Sequence, residues 1–292
     1  MGESAAPSAL YEMDGTRLVP SRLARGPRHA GSQHGGPMQG LLARAIEQHP
    51  ARRPMQIVRF TCDLWRAAAF EPVEVVVRTL REGKAAEWLE AELHSAGAVA
   101  ARASALRLRV GDVDAPLDRD PGAACAPEDA APPVRWLGSG DGDAPTDFVN
   151  AIELRPVDHF VRPAAWLRLR VPLVAGEPTS PFVSAATLCD MIYGLPTVQA
   201  VQRGDPSLLR QPFVAFNVDT SLQLHRAPVG EWFALDAEVH YGPDGAGVGR
   251  ASLADVEGSL GYAQQSLLLR EAAARSNVWE GRVQREAKRA DG

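Results

Sequence analysis

The sequence predicts an α+β protein made of two similar halves, each an antiparallel sheet wrapped around one central helix. Two observations support this. Strand-like runs around a single apolar helix occur twice along the 292 residues. A long segment rich in Pro, Gly, Ala and Asp separates the two occurrences. Since one helix cannot cover both faces of a flat sheet, we expect each sheet to curl around its helix.

The separating segment covers residues 111–147 and has neither the period of a strand nor that of a helix. We therefore predict a surface linker there, between an N-terminal repeat at 1–110 and a C-terminal repeat at 148–292. Both repeats fall within the usual size range of a domain. Val134, Trp136 and Leu137 are candidate anchor points within the linker.

In the first half, one helix is predicted over residues 37–48, because Pro37 suits the first helical position and apolar residues follow at helical spacing. Residues 85–94 have a helical composition, but they lie between two turns, so a strand is predicted. The predicted strands of this half are 55–65, 73–80, 85–94 and 99–110.

The second half repeats this order. An apolar helix is predicted over residues 181–194, with Pro181 near its start. The Gly-Pro-Asp-Gly sequence at 242–245 predicts a turn. The predicted strands of this half are 151–157, 165–173, 213–224, 232–239, 248–256 and 261–269.

Composition excludes several classes of protein. The net charge of -5 argues against a nucleic-acid partner. No segment approaches the roughly 20 apolar residues that span a bilayer, and the N-terminus lacks the pattern of a secretory signal. Three widely spaced cysteines indicate neither a disulfide framework nor a metal site. We therefore expect a cytoplasmic protein without a membrane span.

Three stretches carry a resemblance to a known family. They are HGGPMQGLLARAIE at 34–47, VDTSLQLHR at 218–226 followed by Glu231-Trp232, and AQQSLLLR at 263–270. In this order they resemble the acyl-CoA thioesterase II type, which has two hot-dog repeats in one chain. The resemblance covers most of residues 10–110 and 148–272. It implies a double hot-dog fold.

The resemblance also implies an activity, the hydrolysis of acyl-CoA to free fatty acid and CoA without a cofactor or a metal. By position, it implies that Asp219 activates the water and that Gln265, rather than its neighbour Gln264, helps to hold it. The family has a small hydroxyl residue on the strand after Glu-Trp. Here His240 occupies that region and is the third candidate catalytic residue.

The start of the first predicted helix is the candidate substrate-binding site. Backbone N–H groups at a helix N-terminus suit a developing oxyanion, and Gly35 and Gly36 allow a substrate to approach the backbone closely. Pro37 donates no N–H, so Gly36 and Met38 are the candidate donors, with Gly36 favoured. His34 is expected to hydrogen-bond the substrate or the helix end.

Comparison of the halves suggests one composite site. When Arg66 is matched with Arg226, Arg59 falls opposite Asp219, and the closing strand of the first half offers no Gln. The first half alone has His-Gly-Gly before its helix. We therefore hypothesise that this helix start faces Asp219 and Gln265. Asp190, in the middle of the second helix, is a rival acid, for which an interface or helix-contact role is favoured.

Two other functions remain open at this level. The chain could be a non-catalytic acyl-CoA-binding protein that has kept the fold, an alternative prompted by the missing hydroxyl residue near His240. It could also be a hydratase or dehydratase of the same fold, although Asp219 and His225 are six residues apart without the expected Asn-Pro. An exposed sheet edge could join copies of the chain into a homo-oligomer.

Overall fold

The computed structural model describes residues 7–26, 31–111, 113, 125–134, 147–205 and 213–271. Three α-helices lie in these ranges, α1 (Gly35–Gln48), α2 (Pro181–Leu188) and α3 (Leu195–Gln202), and a 3-10 helix over Cys189–Gly194 joins the last two. The strands are β1 (Tyr11–Asp14), β2 (Arg17–Pro20), β3 (Met55–Leu64), β4 (Glu74–Glu82), β5 (Ala86–Ser95), β6 (Ala98–Arg109), β7 (Ile152–Pro156), β8 (Ala164–Leu169), β9 (Phe213–Asn217), β10 (Asp219–Leu224), β11 (Phe233–Tyr241), β12 (Ala246–Asp255) and β13 (Gly258–Glu271).

All described strands except the β1–β2 hairpin belong to one antiparallel sheet. Its order is β4-β5-β6-β3-β10-β13-β12-β11-β8-β7, and β9 pairs with β13 in line with β10. The halves meet where β3 pairs with β10, and the hydroxyl groups of Thr61 and Ser221 lie 2.9 Å apart at that junction. A single sheet therefore runs through both halves.

The strands alternate between a buried inner face and an outer face. On β10, Thr220, Leu222 and Leu224 are buried, and the residues between them are more exposed. On β13, Ala263, Gln265 and Leu267 are buried in the same way. The inner side chains pack with α1 and α2 in one hydrophobic core. This alternation decides which side chains can reach the helices.

The two central helices pack against each other in opposite directions. Gly35 at the start of α1 lies beside Asp190 beyond the end of α2, and Glu47 at the end of α1 bonds Ser180 at the start of α2. Glycine permits this approach, because a methyl group on Gly36 would lie 2.9 Å from the Thr187 carbonyl oxygen. The start of one helix is thereby held against the end of the other.

Gly40→Ala should destabilise the protein, although alanine is the better helix former by about 1 kcal/mol. The added methyl group would overlap Thr187 Oγ1 and lie 3.1 Å from Leu173. Thr187 cannot move easily, because it is buried and its hydroxyl bonds the Val183 carbonyl at 2.7 Å. We expect the free energy of unfolding, measured by denaturant unfolding, to fall by about 1–3 kcal/mol. Thr187→Ala in the same chain should recover part of it, and a Gly40→Ala protein more stable than wild type would contradict the packing argument.

Helix boundaries differ from the sequence predictions in both halves. α1 begins at Gly35 rather than at residue 37, because the His34 side chain caps it by accepting the Gly36 N–H at 3.3 Å. The helix predicted over 181–194 changes to a 3-10 helix at Cys189, and α3 was not predicted. The change from an α-helix to the tighter 3-10 helix depends on tertiary packing, which the apolar pattern does not encode.

Strand boundaries differ as well. The strand predicted over 213–224 is interrupted at Val218, and the strand predicted over 165–173 ends at Leu169. The β1–β2 hairpin was not predicted. Residues 85–94, whose composition resembles a helix, form β5 as predicted from the flanking turns, because two neighbouring strands pair with it.

Only part of the predicted linker lies within the described residues. Val134 donates its N–H to the Leu154 carbonyl at 3.0 Å and so covers the β7 edge of the sheet, whereas Trp136 and Leu137 lie outside the described residues. Within the described ranges, no helix is long and apolar enough to cross a membrane.

Candidate active site

The start of α1 presents two glycine N–H groups beside a histidine. Gly35 and Gly36 are the first two helical residues, so their N–H groups precede the internal hydrogen bonds of the helix. His34 is fixed as the N-cap, since its own N–H bonds the Ala24 carbonyl at 2.9 Å and its ring packs on Phe148 with centroids 4.9 Å apart. A helix N-terminus of this kind favours negative charge.

The acid that faces this helix start is Asp190. Its carboxylate is fully buried, and its Oδ2 lies 2.9 Å from His34 Nδ1. Oδ1 would lie 2.8 Å from a methyl group on Gly35, so only glycine fits there. Among the described residues, Oδ2 has no hydrogen-bond partner with good geometry. A buried carboxylate with an unused oxygen is unusual outside functional sites, because it loses its hydration without full compensation.

A strand break brings a second polar side chain to Asp190. Asn217, the last residue of β9, donates its amide N–H to Asp190 Oδ1 at 2.6 Å. Asn217 pairs with Leu267 on β13, while Val218 donates its N–H to Ser266 and the regular pairing resumes on β10. A bulge of this kind re-aims side chains and occurs often beside active sites. Asn217 is not among the site residues predicted from the sequence.

Gln265 lies on the inner face as expected, but its amide is engaged with protein groups. Its Nε2 lies 3.2 Å from the carbonyl oxygens of Cys189 and Asp190 and from Thr220 Oγ1, and its Oε1 accepts the Tyr193 N–H at 3.3 Å. Gln265 therefore braces the 3-10 helix that carries Asp190.

Asp219 does not face the start of α1. Thr220 beside it points into the core, so Asp219 points to the outer face. There its carboxylate accepts the Ser266 N–H at 2.5 Å and lies 3.3 Å from the Ser266 hydroxyl. Its neighbour across the junction is Asp63, and partial burial together with the Asp219 charge raises the pKa of Asp63. Asp219 therefore does not meet the start of α1, contrary to the hypothesis drawn from the comparison of the two halves.

His240 is also remote from the helix start. Its side chain is 65% exposed on β11 and pairs with Glu238 at 3.2 Å. His240 pairs with Val248, which pairs with Ser266, the partner of Asp219. Three strand spacings, about 14 Å, thus separate His240 from Asp219. The structure does not bring the three predicted catalytic residues together.

Met38 lies in the core rather than on the substrate surface, with 3% of its area exposed. Because α1 begins at Gly35, the Met38 N–H lies one turn into the helix, where the carbonyl of the N-cap accepts it. The remaining candidate substrate contacts, His34, Gly35 and Gly36, lie together around Asp190.

The nearby cysteines are not suited to act as nucleophiles. Burial raises the pKa of the Cys62 thiol, and the Asp190, Asp63 and Asp219 charges raise it further. Burial also raises the pKa of Cys189, with a contribution from Asp190. A thiol kept protonated is a poor nucleophile. Within the described part of the chain, no cluster of three His, Cys, Asp or Glu side chains is suited to a metal ion.

Two family profiles match the sequence. The profile of the acyl-CoA thioesterase N-terminal domain matches residues 24–108, and that of the acyl-CoA thioesterase C-terminal domain matches residues 124–269. Together they cover most of the chain. The chain belongs to the acyl-CoA thioesterase family. It is therefore a thioester hydrolase, as the sequence resemblance predicted.

Solved structures support the fold of this thioesterase. A hot-dog protein of unknown function from Alicyclobacillus acidocaldarius is 15% identical with a TM-score of 0.65, and the match covers 91% of this chain and 97% of that one. The acyl-CoA thioesterase II TesB2 from Mycobacterium marinum is 18% identical with a TM-score of 0.62, over 84% and 92%. The tesB protein of Mycobacterium avium is 19% identical with a TM-score of 0.59, over 89% and 95%.

These likenesses confirm the predicted α+β double hot-dog fold. At such low identity they establish the fold alone. No curated protein matches the chain at the level of sequence.

The two central helices of the thioesterase carry different residues at equivalent positions. Asp190 lies ten residues after the cap Ser180, and ten residues after the cap His34 the other helix has Arg44. Arg44 forms a two-point ion pair with Glu177, with distances of 2.7 and 2.8 Å. In the first helix, the Arg44–Glu177 ion pair thus occupies the position that the Asp190 carboxylate has in the second.

Proposed function

We propose that the chain hydrolyses acyl-CoA thioesters at the junction of its two halves, with Asp190 as the general base and the start of α1 as the oxyanion site. The observation that carries this proposal is the 2.9 Å approach of Asp190 Oδ2 to His34 Nδ1 beside the N–H groups of Gly35 and Gly36. A base and oxyanion donors are the two elements that thioester hydrolysis requires.

In the proposed reaction, Asp190 takes a proton from a water molecule as the water oxygen attacks the thioester carbonyl carbon. The carbonyl oxygen becomes an oxyanion, stabilised by the N–H groups of Gly35 and Gly36 and by the helix dipole. When the tetrahedral intermediate collapses, the C–S bond breaks and the CoA sulfur receives the proton from Asp190. The products are a free fatty acid and CoA, and no electrons are transferred.

His34 links the two parts of the proposed site. Its Nδ1 lies between Asp190 Oδ2 at 2.9 Å and the Gly36 N at 3.3 Å. One ring nitrogen either donates to the carboxylate or accepts from the glycine, because it holds either a proton or a lone pair. A proton on Nδ1 would bond Asp190 and free the Gly36 N–H for the substrate oxygen.

Under this proposal, the other predicted catalytic residues act less directly. Gln265 holds the backbone around Asp190 in place. Asp219 satisfies the Ser266 N–H at the strand break and stays on the outer face. His240 is a surface residue that pairs with Glu238.

Thiol release from a panel of acyl-CoAs of increasing chain length tests the proposal. We expect CoA release by the wild type and its loss in Asp190→Asn. Binding of acyl-CoA without release over many enzyme equivalents would favour the non-catalytic alternative. The same panel with acyl-carrier-protein thioesters distinguishes the two carriers, and crotonyl-CoA hydration would indicate the hydratase alternative.

For self-association through a sheet edge, we propose the β4 edge. The β7 edge is covered at Val134, whereas β4 exposes Val76 at 57% and Leu80 at 52%. A long exposed strand with apolar side chains is a pairing surface, and a lysine on it blocks pairing. Light scattering should therefore show a lower mass for Val76→Lys than for the wild type. An assembly that Val76→Lys leaves intact would exclude this edge.

A further inference from the structure

We infer that Asn217 is a positioning residue for Asp190, which holds this carboxylate oriented toward the start of α1. This inference rests on the proposed function. Asn217 donates its amide N–H to Asp190 Oδ1 at 2.6 Å, a short charge-assisted contact. The other oxygen, Oδ2, is thereby left directed at His34.

The position of Asn217 depends on the interruption between β9 and β10. Asn217 pairs with the inner-face residue Leu267, and Asp219, two residues later, lies on the outer face against Ser266. In an uninterrupted strand, residues two apart would lie on one face. The bulge at Val218 therefore sends one polar residue inward to the helix and the next outward.

The burial of Asp190 makes this contact important. Its side chain is completely buried, so the carboxylate depends on protein donors for the stabilisation that water would supply. Asn217 supplies a neutral donor to Oδ1. A neutral donor favours the ionised form without adding a charge that would hold the carboxylate in an ion pair.

Among the described residues, titratable groups approach Asp190 from α1, from β3 and from the 3-10 helix that carries it. His34 faces it from α1, Cys62 from β3, and Cys189 lies next to it on the 3-10 helix. Asp63 and Asp219 influence Cys62 across the sheet. Burial raises the pKa of both thiols, so they remain protonated in a neutral assay. His34 is the one imidazole among these groups.

The test is the pH dependence of kcat/KM in Asn217→Leu, which has a similar size and no donor. Loss of a donor to the ionised form favours the protonated form, so the acid limb of the profile should move to higher pH. A misplaced base should lower kcat by about 10²-fold. KM should change little, because Asn217 contacts Asp190 rather than the substrate.

Asn217→Asp is the matched variant with the same shape. Its carboxyl donates to Asp190 only while it holds a proton, and two close carboxylates cannot both ionise easily. We expect activity within the pH range in which the pair shares one proton, and a decline at higher pH where the wild type stays active. If Asn217 had only a structural role, both variants would lower the melting temperature and would leave the pH profile of kcat/KM unchanged.

A double-mutant cycle with Asp190→Asn separates the two proposals. If Asn217 acts through Asp190, Asn217→Leu should have no further effect on turnover once Asp190 is replaced. An active Asp190→Asn protein would overturn the proposed function. An inactive Asp190→Asn protein together with a wild-type kcat and pH profile for Asn217→Leu would overturn only the positioning role. Repeating the profile in His34→Asn removes the titration of the imidazole.

Discussion

Asp190→Asn should lower kcat for acyl-CoA hydrolysis by about 10²- to 10⁴-fold, the usual contribution of a general base. The amide keeps the shape of the side chain but cannot take a proton from water. KM should change less than kcat, because the oxyanion site at Gly35 and Gly36 is retained. Initial rates of thiol release measure the effect, and circular dichroism establishes that the variant is folded.

Asp219→Asn is the matched control for this experiment. Asp219 lies on the outer face, where an asparagine oxygen can still accept the Ser266 N–H. We expect turnover close to that of the wild type, with a small loss of stability. The opposite result, an active Asp190→Asn and an inactive Asp219→Asn, would restore Asp219 to the role that the family resemblance implies.

Asp255→Ala should cause one of the largest losses of stability in the protein. The Asp255 side chain is fully buried and accepts four hydrogen bonds, from the two terminal nitrogens of Arg226 and from the N–H groups of Val229 and Glu257. The carboxylate raises the pKa of Arg226. Removal of one partner of such a pair leaves the other partly buried charge unpaired, at a cost of about 3 kcal/mol.

Denaturant unfolding measures this effect, and Glu238→Ala provides the control. Glu238 also pairs with an arginine, Arg250, at 2.6 Å, but both side chains are at least half exposed. Water replaces such a partner, so the unfolding midpoint should barely change. Equal losses in the free energy of unfolding for Asp255→Ala and Glu238→Ala would contradict the argument that burial makes the Asp255 ion pair the more stabilising one. Asp255→Asn should cause an intermediate loss of stability, since its side-chain carbonyl oxygen can still accept some of these hydrogen bonds.

Arg226 is a motif residue whose contacts stabilise the fold. Its match to the family run identified the second repeat, and the structure shows that its side chain binds Asp255 and the carbonyls of Gly258 and Ser259. The motif residue therefore stabilises the turn between β12 and β13. A run that resembles the family can therefore predict the fold even where its residues serve packing rather than chemistry.

The sequence predicts a composite site with Asp219 as its acid and Asp190 as the rival acid, whereas in the structure Asp190 faces the start of α1. His-Gly-Gly precedes only the first helix, and the proposed oxyanion site lies at the start of that helix. One signal against Asp219 was present. In β10, polar residues at 219, 221 and 223 alternate with Thr220, Leu222 and Leu224, which indicates that Asp219 faces outward. A lone carboxylate in an apolar helix likewise pointed to Asp190.

The sequence by itself determined the two repeats, the start of α2 and most strands, because hydrophobic periodicity, caps and turn residues act over a few neighbours. The tertiary structure decided which groups meet. Residues 35 and 190 come together only because α1 and α2 pack in opposite directions, and Asn217 reaches Asp190 only because the strand breaks at Val218. Such contacts depend on long-range packing, which local patterns do not specify.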